Sequence, residues 1–215
     1  MNAKFAPSAT PIKLYRSPMS GHCHRVELMM SFLDIPYTTI DLDMMNGAHK
    51  APEFLELSPF GQVPAIDDNG TTLSDSNAIL VYLVQKYGTD YAWMPTDPVK
   101  AAEVQRWLSV AAGDIFAGPC VARLVKLFGM SFDYDVAKTK TVTLFALLEP
   151  MLVKRNFLAG TAITIADVAG YSYIAHAPEG GISLDHYPAI RAWLSRIEAH
   201  PGFVGMVRSP VPEAA

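Results

Sequence analysis

The sequence predicts an α/β N-terminal domain followed by an all-α C-terminal domain, and three observations carry that prediction. Strand and helix patterns alternate as far as Gly88. An irregular stretch holding Pro95 and Pro98 then breaks the pattern. Beyond it only helical spacing recurs. The expected domains are residues 11–88 and 98–208 of a 215-residue chain, a length that suits one small and one medium unit.

The elements follow in order. Ile12-Lys13-Leu14-Tyr15-Arg16 alternates as a strand, Ser17-Pro18 interrupts it, and Val26, Met29, Met30 and Leu33 repeat at helical spacing. Pro36 ends that helix before the strand formers Tyr37-Thr38-Thr39-Ile40-Asp41. A short helical piece from Pro52 to Leu57 leads to a hairpin, Val63 to Ile66 and Thr71 to Leu73, around Asp67-Asp68-Asn69-Gly70. Ile79, Leu80, Leu83 and Tyr87 mark a third helix that Gly88 stops. The order β-α-β-α-β-β-α is a thioredoxin-like layout.

Past Pro98, one helical pattern runs from Val99 toward Leu127, with a bend expected near Gly113 and Gly118-Pro119. Another runs from Asp135 to Lys154, and Pro150 is expected to kink or shorten it. Thr164-Ile165-Ala166-Asp167 has the form of a capping box in front of a helix almost free of charge, expected in the middle of a bundle. Pro188 suits the first turn of a last helix carrying Ile190, Trp193, Leu194 and Ile197.

Composition excludes several classes. Half the residues are apolar and 18% are charged, enough for buried cores. The net charge is −4, and no basic run is present that could follow a phosphate backbone, so nucleic acid is not an expected partner. Cys23 and Cys120 are too few for a disulfide framework or a four-thiolate zinc site, which fits a reducing compartment. Residues 1–10 lack an apolar leader core, and glycine, proline or charge interrupts each apolar run short of a membrane span. The expectation is a cytoplasmic protein without a membrane partner.

Four places suggest chemistry. Ser20 precedes Gly21-His22-Cys23 at the entry to the first helix, where unpaired N–H groups and the helix dipole favour negative charge. A serine there is also the usual helix cap, so position leaves both roles open. Pro64, in Gln62-Val63-Pro64-Ala65, marks either an edge strand or a cis bond. In the cis geometry Val63 would turn its N–H and C=O outward to pair with an extended peptide. Asp75-Ser76 opens the third helix and offers a hydroxyl and amides to a carboxylate and an acid to an ammonium, with capping as the alternative. His49-Lys50 follows the second strand and can meet another carboxylate or form a solvated surface.

These places fall within runs that together resemble glutathione transferases, most closely the serine-type phi and theta enzymes. The runs are Ser17-Pro18-Met19-Ser20-Gly21-His22-Cys23-His24-Arg25-Val26, Gly47-Ala48-His49-Lys50, Ser58-Pro59-Phe60-Gly61-Gln62-Val63-Pro64-Ala65 and Leu73-Ser74-Asp75-Ser76-Asn77-Ala78-Ile79. Phe157-Leu158-Ala159-Gly160 and Thr164-Ile165-Ala166-Asp167 resemble the family's helical domain.

The resemblance implies glutathione as co-substrate without a metal, a small and fairly apolar electrophile, and a homodimer. By it Ser20 looks like the hydroxyl that holds the glutathione thiolate, and His49 and Lys50 like contacts to the glycine carboxylate. Gln62 and Val63 would pair with the peptide backbone, Pro64 would be the cis-proline, and Asp75 and Ser76 would hold the γ-glutamyl group. Glutathione-dependent reduction of disulfides or peroxides, isomerisation, and a non-catalytic binding module are the other readings.

Three residues complicate the assignment. Ser17 lies in the same loop as Ser20, and Ser20-Gly21-His22-Cys23 has the spacing of a redox pair with serine in the first place. Asn77 stands where many relatives carry arginine. His22 and His24 are two apart on a helix and face different ways, which argues against shared metal ligation.

Overall fold

The structure is a computed structural model and describes residues 10–89 and 92–211. Residues 1–9, on which the expected lack of an apolar leader core falls, lie outside them. The chain divides into two units: Met1–Met94 with Pro201–Met206, and Pro95–His200 with Val207–Ala215.

In the first unit a four-stranded sheet has the order β2-β1-β3-β4, with β1 Ile12–Arg16, β2 Tyr37–Asp41, β3 Ala65–Asp68 and β4 Thr71–Ser74. β1 and β2 are parallel, and the other pairs antiparallel. Alternation along β1 puts Ile12 and Leu14 fully in the core and leaves Lys13 outside. The β3-β4 turn uses Asn69 and Gly70, both at positive φ (51° and 89°), the backbone a tight hairpin requires. Helices α1 (Gly21–Phe32) and α3 (Ser76–Tyr87) pack together, and α2 (Pro52–Leu57) lies against β3 and β4.

Two features fix the unit's borders. Asp68, its side chain fully buried, accepts from Tyr82 (2.6 Å), Tyr87 (2.6 Å) and Lys86 (2.7 Å), tying the sheet to α3. The late segment Pro201–Met206 returns to α1: His24 Nε2 lies 2.9 Å from Val204 O, and Ser31 Oγ donates to Gly202 O (2.6 Å).

The second unit holds α4 (Pro98–Val110), α5 (Val121–Phe128), α6 (Tyr134–Lys154), α7 (Ile165–Ala175) and α8 (Pro188–Glu198). Between α4 and α5 the chain stays helical but widens to π winding over Ala111–Cys120, so the disturbance expected at Gly113 and Gly118-Pro119 is a change of winding. The uninterrupted run of 31 residues, Pro98–Phe128, therefore has the length and composition of a membrane span, contrary to the reading that glycine and proline break it. Half of its apolar window is buried within the protein, as for a core helix.

Pro150 does not shorten α6, which continues to Lys154. The carbonyl that Pro150 leaves without an N–H belongs to exposed Ala146, where water can satisfy it. The capping box forms as expected: buried Asp167 accepts from Leu158 N (2.8 Å), Thr164 N (2.9 Å) and Trp193 Nε1 (2.9 Å), joining the approach loop, α7 and α8. Glu149 of α6 caps α8 through Ala189 N (2.7 Å) and Ile190 N (3.0 Å).

Candidate functional site

The strand register brings the candidate residues to one end of the sheet. Arg16 pairs with Asp41, Tyr15 with Ala65, and Ala65 with Ser74. The last residues of β1, β2 and β4 and the first of β3 therefore share an edge. From that edge leave the Ser17–Ser20 loop, the turn carrying His49 and Lys50, the Gln62–Pro64 approach to β3 and the Asp75–Ser76 start of α3.

Ser20 is the N-cap of α1, and its Oγ accepts from Cys23 N at 3.4 Å. A hydroxyl has lone pairs and one proton, so an oxygen that accepts from the helix can still donate outward. Cap and thiolate donor are thus compatible at one atom. Cys23 is 1% exposed, its Sγ receives Ser17 N–H (3.4 Å), and burial pushes its thiol up to about 11. Such a thiol stays protonated and shielded at neutral pH.

At α3, Asp75 caps the helix by accepting from Ala78 N (2.9 Å), and it does so at φ 72°, a backbone region costing a non-glycine residue about 1–3 kcal/mol. Ser76 is 5% exposed, and its Oγ lies 3.3 Å from both Arg25 Nη1 and His22 Nδ1 of α1. Arg25 Nη1 also donates to Asn77 Oδ1 (2.8 Å).

The Val63–Pro64 bond is cis. Among the described residues neither the N–H nor the C=O of Val63 joins a backbone hydrogen bond. The exposed Gln62 is anchored through its backbone instead, by Ser58 Oγ to Gln62 O (2.8 Å) and Gln62 N to Ser58 Oγ (3.2 Å). His49 and Lys50 occupy a 3-10 turn, Ala48–Lys50. Lys50 Nζ donates to Phe60 O and Gly61 O (3.1 Å each), so the turn is fastened to the loop before Gln62. Gly61 must be glycine here: at φ 59° an added Cβ would lie 2.7 Å from His49 O. His49 Nδ1 is buried without a hydrogen-bond partner among the described residues.

Residues 19–86 match the family model of the glutathione S-transferase N-terminal domain, and residues 129–201 that of its C-terminal domain. The chain belongs to the glutathione S-transferase family. It is 32% identical to glutathione S-transferase 3 of Zea mays over 94% of this chain and 96% of the maize protein. Among solved structures, a glutathione S-transferase from Pseudomonas fluorescens superposes with a TM-score of 0.86 at 29% identity, covering 92% of this chain and all (100%) of that one. A delta-class glutathione transferase of Nilaparvata lugens gives 0.81 at 34% identity, covering 89% and 91%.

Sequence reasoning passed over two side chains that meet the start of α3, Arg25 and the ring of His22. Arg25 is fully buried, three residues after His22 and four before Met29 on the face that packs inward. A charge on an apolar helix face was the available signal.

Proposed function

We propose that this transferase conjugates the glutathione thiolate to a small, fairly apolar electrophile, with Ser20 as the catalytic residue. The observation carrying this is Ser20 Oγ at the α1 N-terminus, accepting from Cys23 N while keeping its own proton. An unperturbed thiol has a pKa near ~8.5, and lowering it by about two units requires roughly 2.7 kcal/mol. A hydroxyl donating to charged sulfur supplies about 1.5–3 kcal/mol, and the helix end about 0.3–1 more. No general base is required. The thiol proton leaves to solvent, the sulfur lone pair forms the S–C bond, and the electrophile's leaving group departs with its bonding pair.

The rest of the peptide is assigned by chemistry. The N–H and C=O of Val63, in no backbone hydrogen bond among the described residues, suit pairing with the cysteinyl backbone beside Gln62 and Pro64. Asp75 and Ser76 suit the γ-glutamyl ammonium and carboxylate. His49 and Lys50 suit the glycine carboxylate, and Lys50 has one donor beyond the two that fasten the loop. Burial of Cys23 disfavours chemistry in which that thiol attacks a disulfide or peroxide.

A homodimer is part of the proposal, supported by Phe60, an aromatic left 80% exposed on the braced loop. A cytoplasmic location is supported by two cysteines that are both free.

Ser20→Ala tests the assignment with an aryl halide as electrophile. Loss of the donated bond predicts a drop of about 10- to 100-fold in kcat/KM and a rise of one to two units in the pKa of bound glutathione, read by thiolate absorbance, with the fold retained. Full activity in Ser20→Ala, with activity abolished by Ser17→Ala or Cys23→Ala, would show the assignment to be wrong.

A further inference from the structure

We infer that Arg25 is a positioning residue for glutathione: from behind Ser76 and Asn77, its buried guanidinium supplies the positive charge that selects the γ-glutamyl carboxylate at the start of α3. The inference rests on the reading of Asp75-Ser76 as the γ-glutamyl end of the site.

Three observations place the charge there. Arg25 is 0% exposed, and Nη1 reaches both Ser76 Oγ (3.3 Å) and Asn77 Oδ1 (2.8 Å), the first two residues of α3. An N–H donated to Ser76 Oγ occupies a lone pair of that oxygen, leaving the hydroxyl proton to point elsewhere. Its alternative partner is His22 Nδ1, 3.3 Å away, which a carboxylate would replace.

The helix end is already suited to an anion. Ala78 N–H is taken by Asp75 Oδ1 and Ile79 N–H by Asp75 O, so the Ser76 amide at the first position faces out of the helix. A full charge behind it, in a region of reduced dielectric, adds to the dipole in the same direction. Burial and then Arg25 hold His22 neutral, its pKa pushed down to about 3, so His22 adds no second positive charge beside Arg25. Guanidinium suits the task better than ammonium, since it stays ionised when buried.

A carboxylate-specific role is separated from a merely structural one by ligand choice. Two probes are S-methylglutathione and its counterpart lacking the γ-glutamyl α-carboxylate, S-methyl-γ-aminobutyryl-cysteinyl-glycine, titrated by calorimetry against the full chain. The native protein should prefer the first. Arg25→Met, which keeps the volume of the stem, should bind S-methylglutathione about tenfold more weakly, or about 1.4 kcal/mol, and change less than twofold toward the decarboxylated probe. Arg25→Lys should keep most of the preference near neutral pH.

Should only Arg25→Lys fold, its preference should decline as pH is raised toward 10, beyond any change in the native protein, because a buried lysine loses its charge and an arginine does not. Equal losses for both probes in a folded Arg25→Met, no loss at all, or a lysine variant tracking the native protein across pH would each overturn the inference. A native protein that binds neither probe overturns the glutathione reading itself. One that binds both equally leaves that reading standing and removes the role of Arg25.

Discussion

Ser20 and Cys23 are one helical turn apart and have opposite fates, set by solvent rather than by element. The cysteine would be the better nucleophile in water, yet at 1% exposure its ionised form is the one burial penalises. The serine is half-buried and needs no ionisation to act. His22, between them, gives a pH prediction. Its pKa is depressed by burial and then by Arg25, so between the folded value of about 3 and the ordinary 6.5 the unfolded chain binds more protons than the folded one. Stability from this group is complete above pH 6.5 and is lost as pH falls toward 3, at up to about 1.4 kcal/mol per unit. Thermal unfolding followed from pH 7 to 4 should be less steep with pH in His22→Asn by as much as one proton. An unchanged slope would mean that the imidazole is protonated in the fold.

At the scale of elements, the π winding of Ala111–Cys120 packs against α4, α5, α6 and α7. Gly118 makes one approach possible: an added Cβ would sit 3.0 Å from Thr141 Oγ1 and 3.1 Å from Thr141 N on α6. Gly118→Ala should therefore cost about 1–3 kcal/mol in chemical denaturation, because backbone cannot yield as a side-chain tip can. Asp167→Ala removes the acceptor of four buried donors and should cost about 3–5 kcal/mol, with Asp167→Asn recovering part of it. The Asp167 capping box was legible in advance, since Thr164 and Asp167 carry it in adjacent sequence. So were the hairpin at Asn69-Gly70, the start of α3 at Asp75 and the Pro52 to Leu57 helix, each signalled by local residues. Pro150 and the π segment were not, because solvation of one carbonyl and packing on α6 decide them, and neither leaves a periodic trace. Arg25 escaped notice for a related reason: its partners Ser76 and Asn77 are 51 and 52 residues away.

For the whole molecule, the exposed ring of Phe60 gives the proposed dimer a direct test. Phe60→Asp should shift the sedimentation of the protein from dimer to monomer while leaving its far-UV circular dichroism intact, and an unchanged dimer would remove Phe60 from the interface. The return of Pro201–Met206 to α1 has a consequence of another kind. Val204 O meets His24 across 180 residues, and Gly202 O meets Ser31 across 171. A ribosome releases α1 before α4–α8 and this segment after them. Until this segment is made, His24 and Ser31 lack those two bonds, and the N-terminal unit is finished after Pro95–His200 of the helical unit has been synthesised. Its completion thereby waits for helices α4–α8 of the other unit to be made, although most of its residues precede them.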